Sequence, residues 1–123
     1  MSDALSILVV EDAAVARESI AGFLRNHGYI VLETWDGQEA LRLIEEAKLD
    51  VVISDFRLNG VADGLQVLGR FNEVSPGKGK ILTSAFGSDE EALAARRIGA
   101  VYMAKPLDLE NLLTQIRLLS AAP

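Results

Sequence analysis

The chain has 123 residues, of which 50% are hydrophobic and 24% charged, the balance of one ordinary globular domain. Its formal net charge of −6 argues against a surface for nucleic acids or anionic membranes, and the lack of cysteine excludes disulfides and cysteine-based metal sites. No apolar run approaches the roughly 20 residues that span a bilayer, and the N-terminus lacks the pattern of a signal peptide. We therefore predict a single soluble, cytoplasmic domain over residues 1–123.

The first half of the chain reads as three strands separated by two helices. Residues 5–10 and 30–34 are short apolar runs typical of strands, and the second contains polar residues, as expected at the edge of a sheet. Each run leads into an amphipathic stretch, and the spacing from Asp36 to Glu39 predicts a capping box at the start of the second helix. Residues 51–53 are apolar throughout, which predicts a strand buried on both faces.

The second half continues the same alternation. After a loop and a third helix, a turn at residues 75–79 leads into a fourth strand at 81–84. Ser88 begins an alanine-rich helix, a short fifth strand covers 101–103, and Asp108 caps the last helix. Short crossovers of this kind require parallel strands and right-handed connections, so we predict a doubly wound α/β sandwich.

Three carboxylates follow the first and third predicted strands, namely Glu11, Asp12 and Asp55. In open parallel sheets the ligand crevice lies outside the carboxyl ends of these strands. Carboxylates that share such a space raise one another's pKa and are tolerated only with a proton or a cation between them. Magnesium, which takes one or two carboxylates plus waters, is the expected ion. The alternative is that Glu11 and Asp12 merely cap the first helix.

The fourth and fifth predicted strands end near a hydroxyl and an ammonium group, those of Ser84 and Lys105. Facing the carboxylates, these two groups would hold an incoming phosphoryl group. Each residue alone has an ordinary interpretation, Ser84 as a strand terminus and Lys105 as a surface lysine before a proline. Their placement at consecutive strand ends, together with the acidic residues, favours a phosphoryl-transfer site.

Five segments carry a resemblance to a known family: LVVED, VVISDFRLNG, DGLQVL, ILTSAF and GAVYMAKPLD. Together they resemble the receiver domain of two-component response regulators, and the resemblance covers essentially the whole chain. It implies a flavodoxin-like doubly wound sheet of five parallel strands in the order 2-1-3-4-5, with five helices. It also implies that magnesium is the cofactor.

The resemblance assigns roles to the acidic residues and to their cationic neighbours. Asp55 matches the phosphoacceptor, Asp12 the direct magnesium ligand, and Glu11 a ligand that acts through water. The backbone carbonyl of Arg57 matches a further metal ligand. Lys105 matches the lysine that precedes a proline, which the family usually holds in the cis form.

Two further functions follow from the same resemblance. Ser84 matches the switch hydroxyl and Tyr102 the switch aromatic residue, with Thr83 as the alternative to Ser84. The segment between Gly99 and Tyr102 is one residue shorter than is common in the family, which favours Ser84.

Two side chains are predicted to control how long the phosphoryl group persists. In the family that the chain resembles, the residues two positions beyond the phosphoacceptor and the switch hydroxyl line the approach of the hydrolytic water, and here they are Arg57 and Phe86. Neither is suited to orienting that water, which predicts slow loss of the phosphoryl group.

The resulting prediction is a phosphorylation-dependent signalling switch, not an enzyme. Its predicted partner is a sensor histidine kinase or a histidine phosphotransfer protein, and its predicted state is a monomer or a weak, phosphorylation-dependent dimer. Two alternatives remain: a pseudo-receiver that serves only as an interaction scaffold, and a phosphatase with an aspartyl nucleophile. Such phosphatases usually carry a second aspartate two residues after the nucleophile, where this chain has Arg57.

Overall fold

The computed structural model describes residues 4–58, 62–85 and 87–121, and within these ranges strands and helices alternate along the chain. The strands are β1 (Ser6–Val10), β2 (Ile30–Thr34), β3 (Val51–Asp55), β4 (Gly79–Ser84) and β5 (Val101–Ala104). The helices are α1 (Ala14–Asn26), α2 (Gly37–Glu46), α3 (Gly64–Val74), α4 (Asp89–Arg97) and α5 (Leu109–Leu119).

All five strands pair in parallel in the order β2-β1-β3-β4-β5, which confirms the predicted flavodoxin-like sheet. β2 is an edge strand, as its mixed composition predicted. β1 and β3 are neighbours, and the strand order changes direction between them. Because all the strands run the same way, their carboxyl ends meet at one edge of the sheet.

The sheet is covered on both faces. One core layer joins the sheet to α1 and α5 and includes Ile20, Leu24, Leu112 and Ile116. The other joins it to α2, α3 and α4 and includes Ala40, Ile44, Leu68, Phe71 and Ala95. Burying each large apolar side chain contributes roughly 1.5–3 kcal/mol, so the central strands are rigid supports for the residues at their ends.

The fourth strand begins at Gly79, earlier than the predicted start at residue 81, because Lys80 is part of it. Only 4% of Lys80 is exposed, and its ammonium donates a hydrogen bond to the carbonyl oxygen of Lys78 at 2.9 Å. Burial lowers the pKa of Lys80. The aliphatic part of the Lys80 side chain is thus buried like an apolar residue, while its ammonium group reaches a backbone oxygen. A lysine counts as polar in a sequence pattern, so the pattern did not include it in the strand.

Two helix caps differ from the predicted pattern. The Asp36 side chain accepts from the backbone N–H of Gln38, so it caps α2 without the predicted box to Glu39. A reciprocal capping box occurs instead at α3, between Asp63 and Gln66. Among the described residues no helix is both long and apolar enough to cross a membrane.

Candidate functional site

The three predicted carboxylates meet at the carboxyl edge of the sheet. Asp55 is the last residue of β3, and Glu11 and Asp12 directly follow β1. One carboxylate oxygen from each of them lies within 4.8 Å of the others. Glu11 and Asp55 are buried, at 2% and 8% exposed, while Asp12 is more open to solvent.

The backbone around Asp55 is fixed on both sides. The N–H of Phe56 donates to the carbonyl oxygen of Thr83 at 2.8 Å, which extends the pairing of β3 and β4 past the aspartate. The N–H of Gly64 donates to the carbonyl oxygen of Phe56 at 2.9 Å. A Cβ atom at Gly64 would lie 2.2 Å from the carbonyl oxygen of Asp55, so only glycine allows α3 to begin this close to the end of β3.

Lys105 joins two of the three carboxylates. Its Nζ atom lies 2.6 Å from Oε1 of Glu11 and 3.0 Å from Oδ2 of Asp55. The residue follows β5, where its N–H donates to the carbonyl oxygen of Ser84 at 2.8 Å. The Lys105–Pro106 peptide bond is cis, as the resemblance implied.

Burial and the neighbouring charged groups shift the pKa values of Asp12 and Lys105. Burial raises the pKa of Asp12, and the hydrogen bond and negative charge of Glu11 raise it further. For Lys105, burial opposes the charge, but the hydrogen bonds and charges of Glu11 and Asp55 outweigh it and raise the pKa. Three carboxylates thus lie around the ammonium group of Lys105, and their mutual repulsion favours binding of a further cation.

The donor set fits a hard divalent cation. Glu11 already accepts from Lys105 through Oε1 and from the N–H of Ala13 through Oε2. The remaining carboxylate capacity lies on Asp12, whose side chain is the most open of the three, and on Asp55. Magnesium takes one or two carboxylates and several waters, so Asp12 and Asp55 would hold it.

Residues 7–117 match the family model described as the response regulator receiver domain. The chain belongs to this family.

Two curated relatives of this receiver domain are regulatory proteins. The positive alginate biosynthesis regulatory protein of Pseudomonas aeruginosa is 40% identical over 112 residues, which cover 88% of this chain and 44% of that protein. The transcriptional regulatory protein GlrR of Escherichia coli is 34% identical over 107 residues, covering 86% of this chain and 24% of that protein. The chain thus spans less than half the length of these two relatives.

Solved structures agree with the receiver fold. A CheY-like receiver domain protein from Methanospirillum hungatei has a TM-score of 0.87 at 27% identity, covering 94% of this chain and 92% of that chain. A response regulator from Burkholderia pseudomallei has a TM-score of 0.84 at 26% identity, covering 91% and 66%. The latter structure contains a phosphorylated aspartic acid, a calcium ion and citrate.

The two candidate switch hydroxyls of the receiver domain lie on opposite faces of β4. Ser84 follows Leu82 by two residues, which places it on the sheet face that includes Tyr102. Thr83 pairs with Asp55 in register, on the opposite face. Both hydroxyl residues are 2% exposed. Register therefore places Ser84, rather than Thr83, on the face of Tyr102.

Tyr102 reaches α4 through a contact that the sequence did not reveal. Its hydroxyl donates to Oε1 of Glu91 at 3.2 Å, and its ring is half-buried against the core layer of α2, α3 and α4. Glu91 lies in the first turn of α4. Its backbone N–H also donates to the Ser88 side chain, the N-cap of α4, at 3.1 Å.

Of the two residues predicted to slow phosphoryl loss, the structure describes only Arg57. Arg57 follows Asp55 by two residues and has an exposed side chain. Phe86 lies outside the described residues. Their roles, and that of the Arg57 carbonyl as a metal ligand, stay predictions.

Proposed function

We propose that this receiver domain is a phosphorylation-dependent signalling switch whose phosphoacceptor is Asp55. The observation that carries the proposal is the pairing of a nearly buried Asp55 carboxylate with Lys105, next to the acidic pair Glu11 and Asp12. A buried carboxylate at a strand end, with a cation already in contact, is suited to attack an electrophile that brings negative charge. The phosphorylated aspartic acid and the cation in the Burkholderia pseudomallei structure support the same chemistry here.

The proposed reaction transfers a phosphoryl group from a phosphohistidine of a sensor histidine kinase or a histidine phosphotransfer protein. A carboxylate oxygen of Asp55 attacks phosphorus, the phosphorus–nitrogen bond breaks, and the imidazole leaves as the neutral histidine once protonated. Lys105 contacts the transferring oxygens and offsets their charge. Magnesium, when bound, supplies further positive charge to the same oxygens. The same site would accept a phosphoryl group from a small acyl phosphate and would slowly lose it to water.

The phosphoryl group adds a charge of roughly −2 at the carboxyl edge of the sheet. We propose that it draws in the Ser84 hydroxyl. The Tyr102 ring then turns inward, and its hydrogen bond to Glu91 breaks. This change biases a two-state surface formed by α4, β5 and α5. The shared sheet face of Ser84 and Tyr102 supports Ser84 as the switch hydroxyl.

A groove next to the site is suited to the histidine-bearing partner. It has a volume of about 510 Å³ and lies between α1 and the segment that links β5 to α5. Its lining is mostly apolar and includes Ala16, Ile20, Leu107 and Leu109, with Glu11 and Lys105 also contributing. We propose that an amphipathic helix of the partner packs here, which would bring its phosphohistidine to Asp55.

The downstream output is proposed from the relatives. One is named a transcriptional regulatory protein and another a positive regulator of alginate biosynthesis. We propose that the switch acts on transcription through a linked domain or a partner, within the cytoplasm, and that residues 1–123 are one receiver domain. With a net charge of −6, the receiver domain itself is not proposed to bind nucleic acid.

A phosphotransfer assay separates this function from its two rivals. A radiolabelled histidine phosphotransfer protein is mixed with wild type or Asp55→Asn in the presence of magnesium. Wild type should take up the label and the variant should not. No uptake by wild type would favour a scaffold, and multiple turnovers of a phosphomonoester would favour a phosphatase. Size-exclusion chromatography with beryllofluoride should show a monomer or a weak dimer.

A further inference from the structure

Arg17 on α1 makes three contacts, which join the segment after β1 to the end of the edge strand β2 and the residue that follows it. Its Nη1 atom donates a hydrogen bond to the backbone carbonyl oxygen of Glu11 at 2.9 Å. Its Nε atom lies 3.5 Å from Oε1 of Glu33, and its guanidinium carbon lies 5.5 Å from the centre of the Trp35 ring. Only 13% of the Arg17 side chain is exposed. These contacts together hold the guanidinium in one orientation.

The carbonyl that Arg17 holds belongs to the peptide unit between Glu11 and Asp12. On the other side of Glu11, its N–H donates to the carbonyl oxygen of Thr34 at 3.0 Å. Ala13, one residue further on, is the N-cap of α1; its own side chain makes no cap, and its N–H donates to Oε2 of Glu11 at 3.1 Å. Rotation of the held peptide would move the Asp12 carboxylate relative to Asp55, and the Arg17 hydrogen bond to the Glu11 carbonyl opposes that rotation.

Arg17 acts through the backbone and not as the counter-ion of the cluster. Lys105 contacts the clustered carboxylates directly, at 2.6 Å from Glu11 and 3.0 Å from Asp55. The carboxylate that pairs with Arg17 is Glu33 in β2, outside the cluster. A planar guanidinium can hold the Glu11 carbonyl, the Glu33 carboxylate and the Trp35 ring at once, which an ammonium cannot.

We propose that Arg17 is a positioning residue that orients the Glu11–Asp12 peptide for binding of a divalent cation. The inference rests on the proposed magnesium site. Replacing a residue that hydrogen-bonds to a metal ligand and orients it typically lowers metal affinity about 10- to 100-fold. A purely structural role for Arg17, holding α1 on β2, would instead change stability and leave affinity unaltered.

Arg25 provides a matched control. It also lies on α1 and pairs with Glu33, its Nη1 atom lying 2.8 Å from Oε2, and its Nη2 atom donates to the carbonyl oxygen of Val31 at 2.8 Å. Arg25→Gln therefore removes an α1–β2 ion pair to the same carboxylate. It leaves the Arg17 contact with Glu11 in place.

The experiment measures the magnesium Kd of wild type, Arg17→Gln, Arg17→Lys and Arg25→Gln by titration calorimetry, with the free energy of unfolding measured without divalent ions. We expect Arg17→Gln to raise the Kd about tenfold. Arg17→Lys should give an intermediate value, because one ammonium can still donate to the Glu11 carbonyl. Arg25→Gln should keep the wild-type Kd within about twofold, whatever stability it loses.

The outcomes separate this inference from the proposed function. If wild type binds no magnesium, the metal site and the positioning role both fail. If wild type binds magnesium and Arg17→Gln binds it equally well, or Arg25→Gln loses as much affinity as Arg17→Gln, the positioning role is overturned and the metal site stands. Should Arg17→Gln not fold, Arg17→Lys decides: a raised Kd supports the inference, and a wild-type Kd overturns it.

Discussion

The Nζ atom of Lys105 lies 3.0 Å from Oδ2 of Asp55, a contact between residues 50 positions apart in the chain. The same nitrogen lies 2.6 Å from Oε1 of Glu11. Lys105 is thus the counter-ion of two buried carboxylates in the unphosphorylated domain. Under the proposed function, the same ammonium group would offset the charge of the phosphoryl oxygens at Asp55.

Replacing Lys105 should destabilise the domain. Lys105→Met leaves Glu11 and Asp55 without their cation, and we expect a loss of about 2 kcal/mol in the free energy of unfolding in urea without divalent ions. This is less than the roughly 3–5 kcal/mol of a fully buried pair, because 24% of the Lys105 side chain is exposed. The control is Lys78→Met, whose pair with Asp50 is more exposed and should cost less than about 1 kcal/mol. Equal stability of Lys105→Met and wild type would contradict the account.

Replacing Asp12 should have opposite effects on the metal-free and metal-bound protein. The pKa of Asp12 is raised in the folded protein, chiefly by burial and then by Glu11, so ionised Asp12 costs stability. Wild type and Asp12→Asn should be similar below the ordinary aspartate pKa. The variant should become the more stable protein as the pH rises through the raised pKa, and it should gain less from magnesium.

Thermal melts across this pH range, with and without magnesium, test both effects. The control is Asp89→Asn in the first turn of α4, where the carboxylate is exposed and favoured by the helix N-terminus. This variant should show no gain in stability. An Asp12→Asn protein that gains as much from magnesium as wild type would refute Asp12 as a ligand.

The Tyr102 hydroxyl should stabilise the contact between β5 and α4 and should not affect the rate of phosphoryl transfer. Tyr102→Phe removes the hydrogen bond to Glu91, which we expect to cost about 1 kcal/mol. The rate at which acetyl phosphate modifies the protein should stay the same. Glu91→Gln keeps an acceptor for the hydroxyl and should cost less. A large drop in the phosphorylation rate of Tyr102→Phe would place Tyr102 in the transfer chemistry instead.

Phosphoryl loss should be slow, and two substitutions should accelerate it. Arg57 is cationic and pairs with phosphoryl oxygens more readily than it orients water, and Phe86 can form no hydrogen bond to water. We expect Arg57→Asn and Phe86→Glu to lose the phosphoryl group faster than wild type. The measurement is the decay of radiolabelled phosphoprotein over time. Equal or slower decay in both variants would mean that these side chains do not control the water.

The sheet and the meeting of the site residues could be predicted from local patterns. The run that ends in Asp55 is apolar and β-branched, which is typical of a central parallel strand. Parallel strands end at one edge, so the residues at the ends of β1, β3 and β5 are expected along the same edge of the sheet. This reasoning brought Glu11, Asp55 and Lys105 together without any knowledge of their distances.

Choices between nearby partners could not be predicted in the same way. An N-cap side chain can accept from the N–H of the second or the third helical residue, and that of Asp36 accepts from Gln38. Lys80 counts as polar in any pattern, yet its stem is long enough to be buried while its charge reaches the Lys78 carbonyl. Such outcomes depend on small differences in packing and solvation that the residue type alone does not determine.

Contacts between different elements were also beyond the sequence. Tyr102 and Glu91 lie on β5 and α4, and Arg17 reaches from α1 to Glu33 on β2. The charged residues among them, Glu91, Arg17 and Glu33, have an equally ordinary interpretation as solvated helix or strand positions. Only the packed arrangement shows that Arg17 holds the carbonyl oxygen of Glu11.

The most direct measurement identifies the residue that carries the phosphoryl group. Wild type is treated with acetyl phosphate and magnesium, and the acyl phosphate is then reduced with borohydride, which converts the modified aspartate to an alcohol that peptide mass mapping can locate. Asp55→Asn treated in the same way is the control. The account predicts a reduced residue at Asp55 in wild type and none in the variant. Reduction at another carboxylate, or equal modification of Asp55→Asn, would contradict it.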